Sequence, residues 1–327
     1  MTDGIDGGRR PRIAAIGLAS WDRLLVVPSY PAAGEYRVVT GEWSLPGGTT
    51  TNTAVALARI GAAVTLAGRV GDDDDGRRLI AAMAAEPGID TTAFTVKPGT
   101  LTDRCTIVVS GDPPDRTIFW HPGAALVRHD RLDITGLFAH DVVLLDVADH
   151  TLRRWLTDLP AHSSPRTRLL GTLTYLVENG APVASDALEV ALRFDTVVGN
   201  AGEVMALTGA GDLDAATAVI RARMVGSNLR SCAISLGADG CRICTRDEIW
   251  DVPAYPVEVV DPTGAGDAFT AGIAWGVALR WPWPRTGLLA NALGAAATTA
   301  MGGQAGLPDR GGLAALTGMP EDVLVGA

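Results

Sequence analysis

The chain has 327 residues, 47% of them hydrophobic and 20% charged, with a formal net charge of −10. That length buries a large core, either as one α/β domain or as a core with a small second unit. The acidic balance argues against a nucleic-acid-binding surface and for work on small molecules, and the short basic clusters GGRRPR and TLRRW do not reverse it.

The opening MTDGIDGGRRPR carries charges but no apolar core of signal-peptide length, and it reads as a frayed tail. A buried strand is expected over 13–18, followed by Ser20, Trp21 and Asp22. Two more, at 24–27 and 37–43, flank the turn PSYPAAGE. After LPGGTTTN a small-residue helix runs to Ile60 and stops at Gly61, with a strand next over 64–67. Asp72–Asp75 open the following helix, where acids complement the dipole, so they read as a helix start and not a metal cluster.

Strands at 106–109 and 117–120 join through SGDPPD. Short buried strands follow at 142–146, 168–172, 196–198, 233–236 and 257–260, with helices between them and an alanine-rich helical end. This alternation predicts a mostly parallel sheet sandwiched by helices. The strands near 23–45 and 103–122 break the alternation and would form a small separate sheet. The longest apolar stretch, 288–306, is interrupted by Asn291, Thr298, Thr299 and several glycines, so no membrane span is expected. A cytoplasmic protein is the expectation.

Cys241 and Cys244 form a C-x-x-C, but on a strand residues three apart point to opposite faces, which suits structural cysteines better than a metal or redox pair. The histidines at 121, 129, 140, 150 and 162 lack metal-type spacing. His121, in TIFWHPGAA, would ride a strand of the small sheet toward a pocket or its rim, and both readings stand. WPWP at 281–284 reads as a helix end that packs a corner.

The five letters TGAGD occur twice. At 208–212 they lie between two helical patterns, where Gly209 suits a C-cap and Asp212 or Asp214 an N-cap. At 263–267 they follow VEVVDP and precede the helical AFTAGIAWGVAL. A strand, glycine turn and helix would set the N–H groups of Gly264, Ala265 and Gly266 at a helix N-terminus on the carboxyl edge of a sheet, where phosphate binds. Asp267 beside that turn is placed to take a proton from a hydroxyl while the N–H groups hold a transferring phosphoryl group; as an isolated residue it would read as an N-cap.

DPTGAGDAF resembles the C-terminal signature of the ribokinase, or PfkB, family of carbohydrate kinases. SLPGGTTTNTAVALARIGAAVTLAGRVGDDDDG resembles its N-terminal signature, VGNAGEV its N-x-x-E element, and SLGADG its nucleotide-side glycine turn. The order runs from about residue 13 to 308, nearly the whole chain.

The resemblance implies a three-layer α/β/α sandwich with a mostly parallel central sheet. Residues 1–22, 46–102 and 123–327 would form the nucleotide-binding core, and 23–45 and 103–122 a small β lid over the sugar. It implies an ATP-dependent kinase with Asp267 as base and Gly264, Ala265 and Gly266 as anion hole. Asn200 and Glu203 would organise Mg²⁺ and the triphosphate, Ser235, Gly237 and Gly240 would line the ATP channel, and Asn291 would lie near the adenine. Asp22, Gly48 and Asn52 match the sugar side. Asp261 and Thr263 sit where a K⁺ site would form, and a homodimer through the lid is expected.

Thr49, Thr50 and Thr51 stand where ribokinases carry a lysine after Gly-Gly and ketohexokinases an asparagine, so neither sugar is assigned. The YP near residue 30 and Trp43 lean toward the ketohexokinase branch. Nucleoside and sugar-phosphate acceptors stay open, with Arg37, Arg104 and Arg116 as the lid cations a phosphate would want. Two other classes compete: a non-catalytic sugar or nucleotide binder, and an NAD-binding dehydrogenase. The second is disfavoured because IGLASWD lacks a G-x-G-x-x-G.

Overall fold

Apolar runs such as IAAI and VVLL leave no polar face, so the strands that hold them must be covered on both sides. The computed structural model describes residues 10–112, 114–159, 167–178 and 180–321. It covers those strands by placing a nine-stranded sheet between two layers of helices. The N-terminal tail through residue 9, and His162, lie outside the described residues.

In spatial order the sheet runs Ile249–Val252, Cys241–Thr245, Ser231–Ser235, Thr196–Asn200, Arg168–Thr172, Val142–Asp146, Arg12–Gly17, Ala63–Ala67 and Ile89–Asp90. The pairings on either side of Cys241–Thr245 are antiparallel and all the others parallel. Side chains alternate along each strand. Thus Ile13 and Ala15 join the core beneath the helices Thr49–Arg59, Ala265–Ala278 and Trp283–Ala297, while Ala14 and Ile16 join the one beneath His150–Asp158, Ala201–Thr208 and Leu213–Met224. Cys241 and Cys244 divide between the same two faces, both as free thiols. No helix among the described residues is long and apolar enough to cross a membrane.

A four-stranded sheet stands apart, in the order Gly41–Gly47, Ser20–Ser29, Arg104–Asp112 and Pro114–His121. Its central pair is parallel and its outer pairs antiparallel. Its own core is Leu24, Ile107 and Val109, so little apolar surface holds it together. Ile118, Phe119 and Trp120 on its last strand stay about half exposed.

The first TGAGD is helix punctuation. Gly209 closes Ala201–Thr208 in the left-handed conformation, and Asp212 caps Leu213–Met224 by accepting from the Ala215 N–H at 2.8 Å. Asp73 caps Asp74–Ala85 in the same way, through the Gly76 N–H.

The expected strand at 257–260 is absent, and this corrects the reading of VEVV. Pro253 and Pro256 remove ladder donors just upstream. Val259 and Val260 are exposed, and the segment is held instead by the N–H groups of Val260 and Asp261 on the Thr298 carbonyl. The second TGAGD is therefore reached through an irregular loop.

Candidate active site

Between the carboxyl ends of the central strands and the small sheet lies a cavity of about 400 Å³. Thr172, Asn200 and Ser235 reach it from strand ends, Gly264, Gly266 and Asp267 from the second TGAGD, and Asp22, Arg116 and Trp120 from the small sheet. A larger hollow of about 660 Å³ opens at the opposite edge, near Arg12, Thr65 and His140. There the His140 ring is already tied to the Thr65 hydroxyl at 3.0 Å and the Leu137 carbonyl at 3.0 Å, and burial lowers its pKa. The acids and hydroxyls converge on the first cavity.

The turn at 263–267 is built for close approach. Gly264 has φ 80°, and a side chain there would run into the backbone of Gly303. Helix Ala265–Ala278 begins at once, so its first N–H groups lack intrahelical acceptors. Those of Gly264 and Gly266 make no hydrogen bond among the described residues, and that of Ala265 reaches only the Pro262 carbonyl at 3.4 Å.

Asp267, in the first turn, presents its carboxylate to the cavity and accepts from Asn52 Nδ2 at 2.8 Å. Burial pushes its pKa up to about 7; the Asn52 bond and the nearby Arg116 pull down, while Asp146 and Asp22 push further up. Asp22 accepts from the Ser20 hydroxyl at 2.7 Å and the Cys105 N–H at 3.3 Å, and burial raises it to about 6. Gly48, at φ 97°, brings its backbone against Ser20 and Leu18 at the head of helix Thr49–Arg59. Asp146 lies buried behind the wall, accepting from the hydroxyls of Thr172 at 2.5 Å and Thr50 at 3.2 Å, with its pKa raised by burial.

On the other side Asn200 and Glu203 form a reciprocal capping box, at 2.9 and 2.8 Å. One Glu203 oxygen is thereby spent on the Asn200 N–H, and burial raises the Glu203 pKa. Ser235 ends its strand on the cavity wall, and Gly237 and Gly240 bound the short turn that follows.

Ala265, Gly237, Gly240, Asn291 and Asp261 do not line the cavity. Asn291 donates to the carbonyls of Val252 and Pro253 at 3.0 and 2.9 Å, pinning the loop that leads to the glycine turn. Asp261 is fully buried and accepts from the N–H groups of Thr263 at 2.9 Å and Gly302 at 2.8 Å. Thr263 Oγ1 is buried at the wall with no hydrogen-bond partner among the described residues. His121 meets Thr106 at the end of its strand and is not part of the wall.

Three residues that the motifs did not single out also belong here: Trp120 and Tyr175 on the wall, and Gln304, whose Nε2 donates to Asn52 Oδ1 at 3.0 Å. The only local signal for Gln304 was the glycine-rich stretch MGGQAG.

No group of three or more His, Cys, Asp and Glu among the described residues could hold a metal ion by itself. The donor set instead suits an anion that brings its own cation: unspent N–H groups on one side and a single acid, Glu203, on the other.

The model of the pfkB family carbohydrate kinases matches residues 10–310. The chain is 27% identical to the ribokinase of Bacillus subtilis over 309 residues, covering 91% of this chain and 96% of that one. It is 30% identical to the aminoimidazole riboside kinase of Salmonella typhimurium over 288 residues, 80% and 85% of the two chains. It spans about half, 48%, of the bifunctional ribokinase/ribose-5-phosphate isomerase A of Fructilactobacillus sanfranciscensis. Its fold matches the Thermotoga maritima ribokinase with a TM-score of 0.76 at 21% identity, over 95% and 100% of the chains. The Arabidopsis thaliana ribokinase complexed with ribose and ATP gives 0.79 at 19% identity, over 94% and 99%. The chain belongs to the pfkB family of carbohydrate kinases, which are ATP-dependent phosphotransferases.

Proposed function

We propose that this protein transfers the γ-phosphoryl group of ATP to a hydroxyl of a neutral sugar or sugar-like alcohol, with Asp267 as general base. The observation that carries this reading is the Asp267 carboxylate on the cavity wall, one residue beyond the unspent N–H group of Gly266. Asp267 takes the proton as the acceptor oxygen bonds to phosphorus and the bond to the ADP oxygen breaks. The N–H groups of Gly264 and Gly266, which line the cavity, hold the charge on the transferring group, and that of Ala265 joins them only by leaving the Pro262 carbonyl. Mg²⁺ bound with the nucleotide would neutralise phosphate charge, and Glu203 and Asn200 are the residues placed to hold it, through water. Asp22 accepts from an acceptor hydroxyl, Gly48 lets backbone come close, and the second N–H of Asn52 Nδ2 is free to donate.

A nucleoside acceptor is the second reading, favoured by the apolar and aromatic part of the wall: Ile107, Trp120, Tyr175 and Phe269. A sugar phosphate fits less well. Arg116 lines the cavity, but Arg37 pairs with Glu35 and neither Arg37 nor Arg104 reaches the wall.

The test is ADP release from MgATP with K⁺ across hexoses, pentoses, nucleosides and sugar phosphates, with Asp267→Asn alongside. Acceptor-dependent ADP should fall roughly 10²–10⁴-fold in the variant while ATP still binds. Near-normal turnover in Asp267→Asn sinks the assignment. Ligand-dependent thermal stabilisation without ADP would mean a non-catalytic binder.

Two further features belong to the same reading. Asp261 is a buried side chain whose oxygens accept only from backbone N–H groups, with Thr263 Oγ1 unpartnered nearby, and oxygens gathered in that way suit a monovalent cation such as K⁺ beside them. Replacing K⁺ by a large organic cation should then lower turnover. The half-exposed Phe119 and its neighbours on the outer strand of the lid suit a homodimer through the lid, which sedimentation at micromolar concentration checks.

A further inference from the structure

We propose that Gln304 is a positioning residue for Asp267, acting through Asn52. This rests on the reading of Asp267 as the base. Gln304 lies 252 residues from Asn52 in sequence, and Asn52 lies 215 from Asp267, yet the three side chains form one hydrogen-bonded line. Gln304 Nε2 donates to Asn52 Oδ1 at 3.0 Å, and Asn52 Nδ2 donates to Asp267 Oδ2 at 2.8 Å. An asparagine amide points whichever way its partners dictate. Here Gln304 takes the oxygen end, which leaves the N–H₂ end for the carboxylate.

The line is anchored at its far end. The Gln304 backbone carbonyl accepts from Arg59 at 2.8 Å, and the side chain is buried, with Asn52 as its hydrogen-bond partner among the described residues. The Asn52 donation matters because burial and two neighbouring acids oppose the ionisation of Asp267. Asp146 from the central sheet and Asp22 from the lid push against it, Arg116 from the lid is the counter-charge, and the Tyr175 phenol nearby stays neutral because burial raises its pKa. An Asn52 side chain held at only one end donates less steadily, so the ionised base loses part of its support. Gln304 therefore sets how much of the enzyme carries a competent base near neutral pH.

The experiment is the pH profile of kcat/KM for Gln304→Met, which keeps the shape and removes the donor, in the wild-type and Asn52→Ala backgrounds. In the wild-type background the acid limb should move up by about half to one pH unit, a roughly 3–10-fold loss at pH 6.5 that recovers at pH 9. In the Asn52→Ala background, where the limb has already moved, Gln304→Met should add nothing. An unshifted limb in a folded Gln304→Met, or an equal shift in both backgrounds, overturns the proposal.

If Gln304→Met does not fold, the wild-type protein supplies the answer. The side-chain amide ¹⁵N signals of Asn52 and Gln304 should titrate together with Asp267, and a Gln304 signal that stays still overturns the proposal. Asp267→Asn separates the two levels. Turnover retained there ends the base assignment itself, whereas turnover lost there with an unshifted Gln304→Met limb ends only the positioning role.

Discussion

Asp267 occupies a place that favours its neutral form. Its pKa in the folded protein, about 7, lies well above the ordinary 3.8. The folded state therefore binds the proton more tightly than the unfolded chain. Stability from this group is present in full near pH 4 and is lost as pH rises through 7. The melting temperature of the ligand-free protein should fall between pH 5.5 and 8 by more than that of Asp267→Asn. At pH 8 the variant should be the more stable by about 1–3 kcal/mol, the cavity-facing edge of the carboxylate reducing the full effect of the shift. Calorimetry of the pair across pH checks both statements; a variant less stable than wild type at pH 8 contradicts them. At this scale the sequence was informative where a residue acts within its own turn. Asp267 was proposed from the glycine turn beside it, and Asn200 with Glu203 from the N-x-x-E resemblance; the capping box that those two form was found only in the structure. Gln304 was not visible, because its role depends on a side chain brought from 252 positions away.

Among the elements, the two TGAGD copies differ in what surrounds them, and substitutions should separate them. Asp212→Ala removes an N-cap and should cost about 0.5–2 kcal/mol while leaving turnover near wild type. Gly264→Ala forces a side chain into positive φ and against Gly303, so turnover should fall at least tenfold along with a stability loss of roughly 1–3 kcal/mol. Denaturant melts and steady-state rates on both variants decide this; a turnover collapse in Asp212→Ala would mean that the wrong copy has been assigned. Helix ends and buried strands were legible here, since caps and apolar runs act locally. The segment 257–260 was misread because alternating valines resemble a strand, whereas Pro253 and Pro256 and the lack of a pairing partner leave it outside the sheet.

Across the molecule, the parallel sheet followed from strands alternating with helices, and the lid from the strands that broke the alternation. How the small sheet sits against the cavity depends on packing that no local pattern records. Among the described residues its core is Leu24, Ile107 and Val109, with Val26 and Cys105 packed against them, yet it carries Asp22 and Arg116 to the cavity. Amide exchange in the lid should therefore be fast in the free protein and slow once acceptor binds, while the central strands change little. Equal protection with and without acceptor would argue against this division.

The crowding of Asp22, Asp146 and Asp267 around one cavity has a consequence for heat measurements. Asp22 and Asp267 hold their protons up to about pH 6 and about pH 7. A neutral acceptor whose hydroxyls donate to those carboxylates favours their ionised forms. Binding an uncharged ligand should then expel protons into the medium near neutral pH. The heat recorded at pH 7 should vary with the ionisation enthalpy of the buffer, and affinity should rise with pH although the ligand itself carries no titrating group.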